Sequence, residues 1–243
     1  MLFNLQQGQL GRRSVTSGGG ATDPNFSSVS LLLHCEGTDG STTFTDSSSN
    51  AHTITASGNA QIDTADYKFG SASGLYDGTG DYLATPTHAS FDLGTGDWTI
   101  EGWFKNHDNN GATRDFFTFY SGASAVVEFY AFYNGSTTEI AFYEAAGGTI
   151  VNPAGSNLAA IWRHYAWVRD GTTLRIFENG SQLGTGSVSG VTMPSGVTFG
   201  VGRPFHTLPA RAWQGWIDEV RVTKGVARYT SSFTAPSAPF PDA

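Results

Sequence analysis

The sequence is poor in cysteine, in basic residues and in long hydrophobic runs. One cysteine in 243 residues, Cys35, excludes an intramolecular disulfide framework. Lysine and arginine number 13 against 21 acidic residues, and the net charge of −8 argues against nucleic acid or an anionic membrane as the main partner. The N-terminus lacks a basic segment followed by a long apolar run, so neither a signal peptide nor membrane insertion is expected.

Aromatic residues and glycine are abundant instead. Aromatics make up 13% of the chain, charged residues 14%, and there are 31 glycines. This composition is typical of short strands joined by tight turns around an aromatic core, and residues 97–105, 163–169, 172–178 and 215–222 show strand-like alternation. We therefore predict an all-β, antiparallel β-sandwich. The predicted hairpin turns are Asn134 with Gly135, Asp170 with Gly171, and Asn179 with Gly180.

Alternation also predicts which strand residues enter the core. In the last strand it places Trp216, Asp218 and Val220 on one face. A carboxylate at Asp218 then needs a partner, because an unpaired charge among apolar residues is costly. The predicted core residues are Trp98, Ile100, Phe104, Leu174, Ile176, Trp216, Val220 and Val222.

Four blocks in a fixed order, at residues 69–83, 97–105, 162–180 and 215–241, carry a family resemblance. Together they resemble the laminin-G-like, concanavalin A-like jelly rolls, and in particular those found in structural proteins of tailed bacteriophages. The resemblance covers residues 29–243 and implies a single jelly-roll domain. Residues 1–28 are predicted to form an extended N-terminal arm that ends in a glycine-rich linker.

Catalysis is not expected from this sequence. Sandwich glucanases resembling this fold place two carboxylates on one face of a strand, across the sugar. Here no predicted strand offers acids at positions i and i+2, and Asp218 and Glu219 are adjacent, so they point to opposite faces. The HExxH and GxSxG motifs are also absent.

The resemblance implies a calcium site between the two ends of the chain. Its ligands would be Asp218 on the last strand, Glu36 after the first strand, and the carbonyl of Gly78 (or Asp77). Calcium accepts such mixed carboxylate and carbonyl oxygens. The alternative is that Asp218 caps backbone N–H groups of the N-terminal strand without an ion.

Exposed aromatic rings are the second kind of candidate site, because they stack on sugar rings. Trp103, Trp213, Tyr130 and Tyr133 are the candidates for carbohydrate binding. Burial in the sandwich core is the competing interpretation for each of them.

The arm is the candidate for assembly. A short segment before a glycine linker cannot bury its own apolar side chains, so it is expected to dock on a partner. The assembly residues are Leu2, Phe3, Leu5, Leu10, Arg12 and Arg13.

The resemblance implies a non-catalytic virion protein, a capsid decoration or cement protein displayed on the virion surface. The arm would attach it to the capsid shell and to further copies of itself as a homo-oligomer, and synthesis would take place in the host cytoplasm. The alternative is a carbohydrate-binding adhesion module of a phage tail or of a secreted protein, which would recognise cell-surface glycans. The two interpretations are compatible, since a displayed domain can also bind glycans.

Overall fold

The computed structural model describes residues 22–107, 112–122, 124–133, 137–158, 160–203 and 211–243. These residues form two antiparallel sheets packed face to face, which confirms the predicted β-sandwich. Within these residues, sixteen strands, numbered β1 to β16 in chain order, build the sheets, and short 3-10 turns occur at Phe26–Ser28 and Ala89–Phe91. Within the described ranges, no helix has the length and apolar character needed to cross a membrane.

The first sheet has the strand order β14-β13-β12-β6-β16-β4-β3, with β1 paired to the far end of β16. The turns that connect β12 to β13 and β13 to β14 are the predicted ones, with positive φ at Gly171, Asn179 and Gly180. Its strands are β1 (Val29–Leu33), β3 (Gln61–Asp63), β4 (Ser73–Asp77), β6 (Trp98–Asn106), β12 (Arg163–Asp170), β13 (Thr173–Glu178), β14 (Ser181–Ser187) and β16 (Gln214–Lys224).

The second sheet has the order β10-β9-β8-β7-β15-β5-β2, with β11 paired to β9. Strands β8 and β9 pair as an antiparallel hairpin, as predicted, and residues 134–136 between them lie outside the described ranges. Its strands are β2 (Thr55–Ser57), β5 (Tyr82–Ala84), β7 (Arg114–Ser121), β8 (Ser124–Tyr133), β9 (Thr138–Glu144), β10 (Gly148–Val151), β11 (Ala154–Gly155) and β15 (Thr198–Val201).

The core between the sheets is dominated by aromatic rings. Trp167 of the first sheet lies 5.2 Å from Phe116 and 5.4 Å from Phe129 of the second, measured between ring centroids. Such tilted and edge-to-face pairs add to the stabilisation that comes from burying the rings. The predicted core residues that are buried are Trp98, Ile100, Phe104, Leu174, Ile176, Val220 and Val222.

Trp216 is the exception, and a β-bulge in β16 is the reason. Glu219 has a φ of +51°, and the register between β16 and β6 shifts between Asp218 and Arg221. The extra residue reverses the alternation beyond the bulge. Ile217 is therefore buried in the core beside Val220, whereas Trp216 and Asp218 point outward. The predicted shared face of Trp216, Asp218 and Val220 is wrong.

The predicted arm is described only from residue 22 onward. The Asp23 N–H donates to the Ala243 carbonyl at 2.6 Å, and the Asp23 carboxylate binds Arg221 and Arg228. The last residues of the predicted arm therefore pack on the jelly roll beside the C-terminus. The predicted assembly residues Leu2, Phe3, Leu5, Leu10, Arg12 and Arg13 lie outside the described ranges.

Candidate functional site

The outward face of the first sheet, called here the closed face, is covered by the C-terminal segment of the chain. Tyr229 and Phe233 pack on an apolar patch formed by Ala166, Val168 and Phe177. The two covering rings are themselves stacked, with centroids 3.6 Å apart. Removing these apolar surfaces from water stabilises the contact, so this part of the face is occupied by the protein itself.

A buried ion network fastens the same segment. Glu101 is 0% exposed and accepts hydrogen bonds from Arg221 Nη2 at 2.8 Å and from the Tyr229 hydroxyl at 2.9 Å. Burial alone would raise the pKa of Glu101, but the charge of Arg221 and the hydrogen bond with His164 outweigh it and hold the pKa at about 2. Because its charges are paired within the fold, this network stabilises the closed face.

The loop of residues 63–71 covers the part of the closed face around Trp103. The Lys68 ammonium lies 4.0 Å from the centre of the Trp103 ring, and the Trp162 indole donates to Asp66 at 2.9 Å. Trp103 is only 4% exposed as a result. The prediction that Trp103 is an exposed sugar-binding residue is wrong, because this loop fills the space above its ring.

The outward face of the second sheet, called here the open face, has no covering segment among the described residues. A row of cross-strand partners runs over it from β5 to β10. Neighbouring strands lie about 4.8 Å apart, so the row is about 24 Å long, and its central residues Thr118 and Glu128 are buried. The row consists of Ala84, Gly200, Thr118, Glu128, Tyr143 and Thr149.

A bulge in β7 decides which of its side chains reach the open face. The register between β7 and β8 shifts between Asp115 and Phe117, and both Phe116 and Phe117 enter the core. Asp115 and Thr118 consequently point outward together, although they are three residues apart. Strict alternation would have placed them on opposite faces.

One arginine binds two buried carboxylates on this face. Arg211 Nη2 donates to Asp115 Oδ1 at 2.5 Å and to Glu128 Oε2 at 2.9 Å. Burial lowers the pKa of Arg211, but the two acids outweigh this effect and raise it. Burial raises the pKa of Glu128, and the charge and hydrogen bond of Arg211 offset only part of that effect. The Arg211 guanidinium also lies 4.6 Å from the centre of the Tyr130 ring.

A second arginine lies on the same face beside β15. The Arg203 guanidinium carbon is 3.4 Å from the centre of the Tyr120 ring and 5.3 Å from that of Tyr82. Gly200 makes room for it, since a Cβ at Gly200 would lie 2.9 Å from Arg203 Cβ and 2.9 Å from Thr118 Oγ1. The open face thus presents two planar cations, each stacked on a tyrosine.

The remaining predicted sugar-binding residues divide between the open face and the core. Tyr130 is half-buried on the open face, where its hydroxyl lies 3.2 Å from Thr149 Oγ1. Tyr133, three positions further along β8, points to the other side of the sheet by alternation. Trp213 is 0% exposed and lies 5.2 Å from Phe116 in the core, so its predicted exposure is wrong.

Four charged residues of the open face were not predicted as site residues from the sequence. Alternation along one strand pairs acids only at positions i and i+2, whereas the structure brings one acid from each of two neighbouring strands. The polar position 128 between the apolar residues Val127 and Phe129 is the sequence signal that indicates an outward-facing acid. No sequence signal gives the register that sets the two acids near each other. The four residues are Asp115, Glu128, Arg203 and Arg211.

The predicted calcium ligands occupy two separate places. Asp218 accepts hydrogen bonds from the N–H groups of Lys68, Phe69 and Glu219 at 2.9, 3.1 and 2.8 Å. Burial outweighs these bonds and raises the pKa of Asp218 to about 7. The backbone groups that Asp218 caps are therefore those of the 63–71 loop and of β16, not those of the N-terminal strand.

Glu36 holds the same loop, since it accepts from the Ser71 N–H at 2.8 Å. Gly78 lies beside Gln214 at the other end of β4. Asp218 lies four positions along the extended strand from Gln214, which corresponds to roughly 13 Å. Asp218 and Gly78 therefore do not form one ligand set. No cluster of three potential ligand side chains occurs in the described part of the chain, and calcium binding stays a prediction.

The chemistry of the open face favours binding over cleavage. A glycosidase needs one carboxyl group to donate a proton and a second to act as base or nucleophile. Here Asp115 and Glu128 both accept hydrogen bonds from Arg211, so each carboxylate already has a cationic partner within the protein. A surface that presents tyrosine rings, guanidinium groups and hydroxyl groups is instead typical of a ligand-binding site.

Comparison with known proteins identifies the family to which this fold belongs. Residues 77–228, more than half of the chain, match a laminin-G-type sequence profile described as the concanavalin A-like lectin/glucanases superfamily. No curated protein matches the chain in sequence.

Solved structures share the fold at low sequence identity. The binding domain of Paraclostridial mosquitocidal protein 1 is 12% identical, with a TM-score of 0.62 over 82% of this chain and 49% of that one. The receptor-binding domain of botulinum neurotoxin D is 10% identical, with a TM-score of 0.61 over 82% of this chain and 50% of that one. This chain thus spans about half of either toxin chain.

Domain 4 of an extracellular arabinanase from Geobacillus stearothermophilus, solved in complex with arabinotriose, is matched over nearly its whole length. It is 16% identical, with a TM-score of 0.58 over 81% of this chain and 92% of that one. At these sequence identities, the similarity shows a shared fold and nothing further. The sequence profile, the two-sheet topology and the fold neighbours agree, and the chain belongs to the concanavalin A-like lectin/glucanases superfamily.

Proposed function

We propose that the protein is a non-catalytic carbohydrate-binding module and that its open face is the binding surface. The observation that carries the proposal is the contrast between the two outward faces. The closed face is filled by the protein's own C-terminal segment and by its 63–71 loop. The open face keeps partly exposed tyrosines next to buried, oriented charged groups.

This composition matches what a sugar offers to a protein. The C–H face of a sugar ring packs on an aromatic ring, and its hydroxyl groups pair with planar polar side chains. Tyr130 provides a ring, and Arg211 provides N–H donors that Asp115 and Glu128 hold in place. An ordered donor loses little conformational entropy on binding, which favours affinity.

The fold neighbours support the proposal at the level of architecture. The arabinanase domain with the same fold was solved with arabinotriose, and both toxin domains are described as binding domains. The superfamily also contains glucanases. The absence of catalysis is therefore part of the proposal, and it is based on the pairing of both open-face acids with Arg211.

A glycan array tests the proposal, with Tyr130→Ala as the open-face variant. Tyr67→Ala is the matched control, because Tyr67 is 44% exposed in the 63–71 loop of the closed face. We expect the Tyr130 variant to bind its best glycan about tenfold more weakly, as loss of one stacked ring implies, and the control to bind as the wild type. Binding that is lost only in the Tyr67 variant would place the site on the wrong face, and reducing ends released from the bound glycan would contradict a non-catalytic role.

Display on a bacteriophage capsid is a separate proposal. It is supported by the family resemblance of the sequence and by the apolar residues before the glycine linker, with the virion surface as location and homo-oligomers and capsid proteins as partners. The arm that would carry the attachment lies outside the described residues. Display and glycan binding can coexist, since they use different parts of the chain.

A further inference from the structure

The two arginines of the open face differ in their partners. Arg211 forms ion pairs with Asp115 and Glu128. Within the described part of the chain, Arg203 forms no ion pair with an acidic side chain. The face therefore holds one cation whose charge is balanced and one whose charge is not.

Arg203, the arginine without an acidic partner among the described residues, is also buried. Arg203 is 9% exposed, and its Nε and Nη1 atoms are buried without a hydrogen-bond partner among the described residues. A buried charge without a partner is costly, and native proteins rarely retain one unless a function requires it. Stacking on Tyr120 and Tyr82 recovers part of this cost, but it satisfies none of the N–H groups.

The surroundings of Arg203 are shaped to keep it in place. The absence of a side chain at Gly200 lets the Arg203 stem lie against β15, next to Thr118 Oγ1. That hydroxyl is likewise buried, and no residue in the described ranges forms a hydrogen bond with it. Two unsatisfied groups, a guanidinium and a hydroxyl, thus lie near each other among half-buried tyrosine rings.

We infer that Arg203, Thr118, Tyr82 and Tyr120 form an anion subsite, which takes an acidic substituent of a bound sugar. The inference rests on the proposed carbohydrate-binding function and names its ligand class: glycans that carry a carboxylate or a sulfate ester. A guanidinium donates two parallel hydrogen bonds to either group, and the hydroxyl adds a third donor. With a net charge of −8, the protein does not attract anions over a distance, so recognition depends on this local pairing.

Matched ligand pairs test the inference by titration calorimetry. Oligogalacturonate is compared with its methyl ester, and sulfated galactan with its desulfated form, which separates the carboxylate from the sulfate. We expect at least one acidic member to bind about tenfold more tightly than its neutral partner. Arg203→Met should abolish this preference, and Arg175→Met, which removes an arginine from the first sheet, should retain it.

The outcomes separate this inference from the proposed function. If an acidic and a neutral member bind equally and Arg203→Met leaves both affinities unchanged, the subsite is wrong while carbohydrate binding stands. If the wild type binds no member of either pair but binds other, neutral glycans on the array, the subsite is again wrong and the proposed function stands. If the wild type binds no glycan at all, both the anion subsite and the proposed carbohydrate-binding function are wrong.

Thermal stability gives a readout that a purely structural arginine would not produce. Removing an unpaired buried charge should leave the melting temperature of Arg203→Met at or above that of the wild type, without ligand. Adding the bound acidic oligosaccharide should raise the melting temperature of the wild type but not that of the variant. A melting temperature several degrees lower in the variant, combined with unchanged binding, would identify Arg203 as a structural residue and overturn the inference.

Discussion

Tyr229 donates a hydrogen bond of 2.9 Å to Glu101, and this bond ties the C-terminal segment to the centre of the first sheet. Glu101 is fully buried and also binds Arg221, which in turn contacts Asp23 near the other end of the described chain. The two ends of the jelly roll are thus fixed to one carboxylate. This arrangement holds the C-terminal segment on the closed face.

Replacing Glu101 with glutamine should destabilise the protein by about 3 kcal/mol at pH 7, because it leaves Arg221 underpaired in a buried site. The pKa of Glu101 is depressed to about 2, so its stabilising contribution is present above its unfolded pKa near 4.5 and is lost as the pH falls towards 2. The difference between wild type and variant in urea unfolding should therefore shrink between pH 4.5 and pH 2. Asp170→Asn, in a more exposed pair with Arg175, serves as control and should cost under about 1 kcal/mol.

Replacing Gly200 with alanine should disturb the anion subsite while preserving the fold. The new methyl group would meet Arg203 Cβ and Thr118 Oγ1 at 2.9 Å, so the arginine stem must move. We expect the preference for acidic glycans to fall about tenfold, with binding of neutral glycans retained. Gly96→Ala is the control, because a methyl group there meets only the Leu93 carbonyl at 3.7 Å. Equal effects of the two substitutions on binding would contradict the prediction.

Asp218→Asn separates the capping role of this carboxylate from calcium binding. The amide cannot accept all three backbone hydrogen bonds, so we expect a loss of about 2 kcal/mol in unfolding free energy, with or without EGTA. Asp39→Asn, an exposed carboxylate that accepts from the Thr64 N–H, should cost less. A calcium ion on Asp218 and Glu36 would appear as an additional calcium-dependent rise in the melting temperature of the wild type. An unchanged melting temperature on adding EGTA would rule out that ion.

Deleting residues 1–20 should leave the jelly roll folded, since every described strand lies beyond residue 28. The melting temperature should remain that of the full chain, measured by circular dichroism. If the arm is the determinant of attachment, the truncated protein should no longer bind phage particles, as mass spectrometry of purified virions would show. Normal occupancy on virions would instead assign the attachment to the sandwich.

The sequence predicted the sandwich well because alternation and turn chemistry are local signals. Asp170 with Gly171 and Asn179 with Gly180 define two hairpins that the structure contains, and most of the predicted core residues are buried. The failures come from bulges. The extra residue at Glu219 turns Trp216 away from the core, and neither composition nor alternation predicts such an insertion.

The candidate site was predicted only in part, because a sheet surface is assembled from strands distant in sequence. Tyr130 was identified as a binding candidate, whereas Asp115 and Arg211 were not, since their contact joins residues 96 positions apart. The predicted exposure of Trp103 is wrong for a related reason. Alternation predicts which way a side chain points, but it does not predict whether a loop from elsewhere covers it.

The most direct test of the account is a crystal structure of the protein with the oligosaccharide it binds most tightly. The account predicts density for the sugar on the open face, with one ring against Tyr130 and an acidic group within hydrogen-bonding distance of Arg203. Sugar density on any other surface, such as the 63–71 loop or the C-terminal segment, with the open face empty, would contradict the account.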